Sequence, residues 1–304
     1  MDPGSSRLYS RRVLHDAGYG DDELRRMRRR GELSLLRRGV YLAGPEITDP
    51  DQRHRIEAEA ALGALSDGAV ASHVSAAALH RLPTWGMPVS RAHVTRDRRS
   101  GGRRGRAVHV HVSPLRPEEI VGVGGLPVTS VARTIVDLAR TVPFEAAVIA
   151  ADAALARRLV SSADLALMLV RCIGWRGSPA ARRAIGFADG RSESVGETRS
   201  RVAIARAGLP APVPQWEVTG HTGELIGRVD FGWPAAGVVG EFDGRVKYGR
   251  LVGPGLAPGD VVFREKRRED AVRAAGLAVV RWTWEELTNF NPTAARLCRA
   301  LGLG

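Results

Sequence analysis

The stretch ELIGRVDFGWPAAGVVGEFDG, residues 224–244, decides how the C-terminal part of the chain is read. ELIGRVDFGW reads as one strand, with Asp230 at its end, and AGVVGEFDG as a second apolar strand ending in Glu241 and Asp243. A short connection joins them, so two carboxylates at adjacent strand ends are expected to converge. Converging carboxylates repel unless a cation lies between them. Hard oxygen ligands suit Mg²⁺ or Mn²⁺, and such an ion can polarise a phosphodiester, activate water and stabilise a leaving oxygen.

Working outward, SESVGETRSRVAIARAGL reads as an amphipathic helix. It projects Glu197 as a third metal ligand, with Glu193 a rival on the same helix. PVPQWEVTG reads as a strand whose Gln215 points into the same neighbourhood, where it could orient water or a ligand. His221–Thr222–Gly223 reads as a tight turn. Beyond Asp243, REKRREDAVRAAG reads as a basic helix closed by Gly276, and LAVVRWTW as a last buried strand. Arg264, Arg267 and Arg268 on that basic helix either hold phosphates or pair with Glu265 and Glu269. The order helix, three strands, helix, strand predicts a mixed sheet, because the last crossover returns a parallel strand.

At the other end, LYSRRVLHDAGY starts one short helix, with Val13 and Leu14 as its apolar face. DDELRRMRRRGEL starts a second, with Asp21 and Asp22 placed where acids favour a helix N-terminus. Leu24 and Met27 face the core of this segment, and Arg25, Arg26, Arg28, Arg29 and Arg30 crowd the rest. LSLLRRGVYLAG alternates as two strands around Arg37–Arg38–Gly39. Helix, turn, basic helix and β-wing is the winged helix-turn-helix plan. It puts the Arg25–Arg30 helix in a major groove and the wing, with Arg37 and Arg38, on phosphates.

Between these ends, residues 51–90 read as helical, through RHRIEAEAALGAL and a Ser72-capped SHVSAAALHRL. His73, His80 and His93 lack metal spacing and carboxylate partners, and read as separate core or surface imidazoles. AHVTRDRRSGGRRGRAVHVHVSPL reads as a hairpin, with strands around Ala92–Thr95 and Ala107–Val112. Its loop carries Arg96, Arg98, Arg99, Arg103, Arg104 and Arg106, either a phosphate grip or a solvated tip. LPVTSVARTIVDLAR reads as a helix capped by Thr129 or Ser130 that buries Val131, Ile135 and Leu138. Residues 143–186 read as an Ala-rich helical bundle, with GWRGSPAARRAI as a joint.

The whole chain has 304 residues, 44% of them apolar, which fits two or three domains. Its net charge is +12 and its pI about 11.0, with lysine only at positions 247 and 266. That balance favours polyanionic partners. No run approaches the ~20 apolar residues of a membrane span, and MDPGSSRLYSRR lacks the apolar centre of a signal peptide. Cys172 and Cys298 read as reduced thiols of a cytoplasmic protein.

Two resemblances follow from these motifs. Residues 1–45, with SHVSAAALHRLP, HVTR and LPVTSVARTIVDLAR, resemble the AbiEi family, antitoxins of type IV toxin–antitoxin systems with an N-terminal winged helix. The resemblance implies operator binding, autorepression and a cognate toxin as partner. The C-terminal segment resembles the PD-(D/E)XK nucleases, and more closely the group related to very-short-patch repair endonucleases. Glu197, Gln215, Asp230–Phe231, Glu241-Phe242-Asp243-Gly244, Lys247, Arg268, Val272, Gly276 and Val280–Arg281 carry that likeness. Asp243 stands where the superfamily has a lysine, and Lys247 where the closer group has a histidine. Lys247 either restores the missing cation, binding the attacking water or the scissile phosphate, or is an exposed loop charge.

The sequence thus predicts an α/β multidomain protein with three parts. Residues 1–45 form a winged helix-turn-helix, residues 46–190 an AbiEi-like middle domain (α+β, then helical), and residues 191–304 a restriction-endonuclease-like core. The expected function is DNA binding with Mg²⁺-dependent endonuclease chemistry. Its catalytic set is Asp230, Glu241, Asp243, Lys247 and Gln215, and its metal ligands are Glu197, Asp230 and Glu241. The alternative is a non-enzymatic antitoxin and autorepressor with a degenerate nuclease fold. A repressor reading a palindrome would be a homodimer.

Overall fold

The computed structural model describes residues 8–65, 68–220, 223–244 and 275–303. The chain is α/β, with several helices and mixed sheets, and it divides into two compact units. The first holds residues 1–150 and 160–185, the second residues 151–159 and 186–304. No helix among the described residues is long and apolar enough to cross a membrane.

The first unit opens with β1 (Leu8–Ser10), α1 (Arg11–Asp16), α2 (Asp21–Arg29), β2 (Leu33–Arg37) and β3 (Val40–Ala43). The Ser10 hydroxyl accepts from the Val13 amide and caps α1. Asp21, Asp22 and Glu23 fill the first turn of α2, and Arg26, Arg28 and Arg29 its last, matching the helix dipole at both ends. Gly39, at φ +80°, makes the β2–β3 turn in a backbone region that costs other residues energy. The strands order as β1-β3-β2 over a small core of Leu14, Leu24 and Leu33. Val13, expected in that core, is 53% exposed, because a two-turn helix buries one narrow stripe and Leu14 occupies it.

Next come α3 (Pro50–Gly63), β4 (Ala69–Ala71), α4 (His73–Leu79), β5 (Ala92–Arg96), β6 (Arg103–Arg104), β7 (Val108–Val112), β8 (Ile120–Val123) and β9 (Leu126–Thr129). Six of these strands form one mixed sheet in the order β6-β7-β5-β4-β9-β8. The expected hairpin of β5 with β7 is corrected here: these two strands run parallel. The Arg-rich segment between them folds back as β6, antiparallel to β7, and this extra reversal sets the direction. β4 lies inside the stretch expected to be helical throughout, and all of its residues are buried.

Four helices follow: α5 (Val131–Thr141), α6 (Phe144–Ala156), α7 (Ser162–Arg171) and α8 (Ser178–Phe187). Ser130 caps α5, which buries Ile135 and Leu138 as expected but leaves Val131 half-buried. It also buries Arg133 completely. The Arg133 guanidinium donates to Asp137 (2.8 Å), Glu119 (2.7 Å), the Ser113 hydroxyl (2.9 Å) and the Pro114 carbonyl (2.9 Å). It stacks 4.8 Å above the Trp175 ring. The expected joint at GWRGSPAARRAI is therefore packed structure: a Cβ at Gly177 would meet the Arg140 carbonyl at 2.4 Å.

The second unit contains α9 (Val195–Arg206), β10 (Val213–Thr219), β11 (Leu225–Trp233), β12 (Val238–Asp243), β13 (Ala278–Thr283) and α10 (Asn291–Ala300). Its sheet runs β10-β11-β12-β13, antiparallel except for the β12–β13 pair. That is the mixed sheet the element order predicts; α10 is an addition. Trp282, fully buried, stacks on Phe231 (5.3 Å) and donates from its indole to Ser200 on α9 (2.7 Å). Gly196 lets α9 reach the sheet, since a Cβ there would sit 1.9 Å from the Phe242 ring.

Arg133→Ala should destabilise the first unit by about 3–5 kcal/mol, because it removes the buried cation shared by Glu119 and Asp137 and leaves two buried carboxylates with only Arg171 (3.4 Å) and Arg140 (2.9 Å) beside them. Chemical denaturation measures this; a loss under 1 kcal/mol would show that the network contributes little.

Candidate functional site

In the second unit the regular alternation of the sheet breaks at one place. Gln215 takes φ +52°, rare for a residue with a Cβ. The β10–β11 register pairs Pro214 with Phe231 and Trp216 with Val229, and skips Gln215 and Asp230 between them. Val229 packs in one apolar cluster, and Phe231, two residues on, packs in the other. Two residues of a regular strand face the same side, so the chain switches faces at Asp230. Asp230 is therefore not at a strand end, as expected, but three residues before the end of β11.

The break brings a side chain into the backbone ladder. Asp230 Oδ2 accepts from the Phe242 amide at 2.8 Å, where β12 would otherwise continue its pairing with β11. Asp230 and Glu241 are the residues just past the last β11–β12 pair, Phe231 with Gly240. Glu241 is half-buried, and its carboxylate lies 3.6 Å from Arg281, its parallel partner on β13. Asp243 closes β12, exposed, opposite Thr283.

Glu197 and Gln215 meet as expected: Gln215 Nε2 donates to Glu197 Oε2 at 2.7 Å. The Glu193 amide and the Ser194 hydroxyl donate to the same carboxylate (3.0 and 2.7 Å). Ser194 in turn caps α9 through the Glu197 amide. Glu197 thus braces the start of α9 through the Glu193 amide and the Ser194 hydroxyl. Among the described residues, Glu197, Asp230 and Glu241 do not gather as a three-ligand group. Mg²⁺ commonly takes one or two carboxylates and completes its shell with water and phosphate oxygens.

Of the expected DNA contacts, Arg26, Arg28, Arg29 and Arg38 are exposed. Arg25 is also exposed and pairs with Asp22. Arg30 lies 3.9 Å from Glu32. Arg37 is corrected: it is half-buried and donates to the Ala60 carbonyl at 3.0 Å, because the β2 register turns it toward α3. Lys247, Arg264, Arg267, Arg268 and the His221–Thr222 turn lie outside the described residues.

A second cluster, in the first unit, escaped the sequence reading. His73, His93 and His111 place ring nitrogens within 4.8 Å of one another, with His109 beside them. His80 stays apart and bonds the Thr129 carbonyl (2.8 Å). Parallel pairing sets His93 against His109, and strand alternation puts His111 on the same face as His109. Burial holds His73 well below its ordinary pKa and lowers His93 to about 3, so the cluster is neutral at pH 7. The repeat VHVHV was the one visible signal, and it is meaningful only once β7 is paired.

No family model matches the chain. Two curated relatives are 38% identical over 112 residues: "Uncharacterized protein MT2308" and "Uncharacterized protein Rv2248", from two strains of Mycobacterium tuberculosis. The match covers 37% of this chain and 41% of each relative's length. The crystal structure of RV2827C protein from Mycobacterium tuberculosis aligns with TM-score 0.38 and 18% identity, over 71% of this chain and 84% of that one.

α9 is held in place by Asp152, which accepts from Thr198, Arg201 and the Asp189 amide, each at 2.8 Å. Burial raises the Asp152 carboxyl from 3.8 to about 6, outweighing Arg201. A raised folded pKa gives stability that is complete below the unfolded value and is lost as pH rises through the folded one. Unfolding free energy should therefore fall by on the order of 2 kcal/mol from pH 4 to pH 7 through this group. Urea titrations of the native chain and Asp152→Asn check this. The variant should lack that part of the slope, and identical slopes would refute the assignment.

Proposed function

We propose that this protein binds DNA through its N-terminal segment, and that its C-terminal unit hydrolyses phosphodiester bonds using a divalent cation held by Asp230 and Glu241. The single observation carrying the hydrolytic reading is that Asp230, at the break in a mixed four-stranded sheet, bonds the amide of Phe242, the residue next to Glu241. A carboxylate pair beside an arginine, on a rigid sheet, suits binding of a cation and a phosphate together. The element order β1-α1-α2-β2-β3, with its exposed arginines on α2, supports a winged helix-turn-helix at the other end.

Mg²⁺ or Mn²⁺ bound there supplies Lewis-acid polarisation and a more acidic water. The chain's own residues do the positioning. The Phe242 amide fixes Asp230, so this carboxylate needs no reorganisation to meet a ligand. Arg281 sets a guanidinium beside Glu241, adding positive charge where a phosphate oxygen would lie. Gln215 locks Glu197, tying the start of α9 to the break in β10.

A second reading, a non-enzymatic repressor or antitoxin, is favoured by one feature: Glu197 already accepts three hydrogen bonds. Cleavage of supercoiled and mismatched DNA with Mg²⁺, Mn²⁺ or EDTA separates the two. Metal-dependent cutting should fall at least about 100-fold in Asp230→Ala and Glu241→Ala. DNA binding without cutting by the native protein would leave the repressor reading. Independently, Arg26→Ala with Arg29→Ala should lower the salt slope of DNA binding by about 2, roughly 0.9 per lost phosphate contact. An unchanged slope would remove α2 from the interface.

A further inference from the structure

We infer that the first unit contains an oxyanion site for a phosphoryl group, in a cavity between the β5–β7 face, the end of α5 and the Trp175–Arg176 turn. The cavity is about 470 Å³, within the range of small-ligand pockets. Arg91, Arg104, Arg140 and Arg176 line it, and no carboxylate does. His93, His109 and His111 complete the polar wall. The site does not depend on the C-terminal carboxylates or on the DNA-binding reading.

Three observations favour an anion over a metal ion, although three of the histidines lie close enough together to suggest a metal. The first is charge, since four guanidiniums would repel a bare cation and attract a phosphate. The second is ring geometry. His73 and His111 stack with centroids 3.7 Å apart and planes 12° from parallel. Imidazole lone pairs lie in the ring plane, so stacked rings cannot both aim at one ion. The third is the state of the donors. His93 and His111 bond each other at 3.0 Å, so as neutral rings they keep one free N–H between them, and His109 keeps its own; burial, with Arg91 and Arg104 adding to it, holds His93 and His109 neutral.

The arginines differ in preparation. Arg140 is fixed by Asp137 (2.9 Å) and by the Arg176 carbonyl (2.9 Å), and it stacks 5.0 Å over Trp175. Arg91, Arg104 and Arg176 are exposed at the rim and form no ion pair among the described residues. A fixed arginine on one wall with exposed ones at the mouth suits capture of a compact anionic group. The phosphoryl group could belong to a free phosphate or mononucleotide, or to a nucleic-acid backbone.

Calorimetric titration of the full chain with inorganic phosphate, with a 5′-mononucleotide, and with a short oligothymidylate lacking terminal phosphates tests the proposal. Phosphate should bind saturably, and Arg91→Gln with Arg104→Gln should weaken it at least about tenfold. Both residues are exposed, so the variant should keep the native melting temperature; Asp230→Ala should bind as the native chain does. Competition by the mononucleotide identifies a terminal phosphoryl ligand, and competition by the oligothymidylate alone a backbone one. Either supports the site. No phosphate binding, or binding unchanged in the double variant, overturns it. So does a Co²⁺ absorption band lost in His111→Ala, which would make the cluster a metal centre.

Discussion

In the middle of β11 a carboxylate takes over a bond that the backbone ladder would otherwise make. Asp230 accepts the Phe242 amide, and at the same level Gln215 adopts a left-handed backbone. Neither is free of cost, because a non-glycine residue in that region carries on the order of 1–3 kcal/mol of strain. What holds both in place is the packing on either side. The Phe231–Trp282 stack lies on one face and the Val218–Val229–Val239 cluster on the other. The chain must switch faces between them, and Asp230 is the residue at the switch. The proposed site is thus a consequence of the core, and its carboxylates are held by elements that cannot easily relax.

The first unit depends on a different device. Arg133 bonds Asp137 on its own helix and joins α5 to the segment before β8 through Glu119, the Ser113 hydroxyl and the Pro114 carbonyl, with both carboxylates buried. An apolar side chain there would avoid the desolvation cost, but it would not specify how the strands and helices meet. Trp175 lies over Arg133, Arg140 and Arg171, so one aromatic ring shelters several cations. Arg140 extends from this buried network to the wall of the histidine-lined cavity. Its rigidity is inherited from structure already required for folding.

How much of this could be read from the sequence varies with how local the determinant is. The C-terminal elements follow their expected segments closely, since α9 and β10 to β13 have strong apolar patterns and clear turns. Asp230 was expected at a strand end and lies inside β11, because alternation in VDFGW hides a switch of faces. The direction of β5 against β7 was not legible: both strands alternate identically whichever way they pair. Nothing local in LPVTSVARTIVDLAR marks Arg133 for burial, which rests on Glu119, Ser113 and Pro114, distant in sequence, together with Asp137 one turn on. The histidine cluster draws on positions 73, 93, 109 and 111, separated by up to 38 residues and joined only by the sheet. Arg37 reads as a wing cation until α3 supplies the Ala60 carbonyl beneath it.

The central claim is that Asp230 and Glu241 together hold a divalent cation. The most direct measurement is Mn²⁺ binding to the full chain, followed by electron paramagnetic resonance, for the native protein and for Asp230→Asn and Glu241→Gln. These isosteric changes remove charge while keeping shape. The account predicts saturable binding by the native protein and at least tenfold weaker binding by each variant, about 1.4 kcal/mol or more. Equal binding by all three, or none by the native chain, would contradict it.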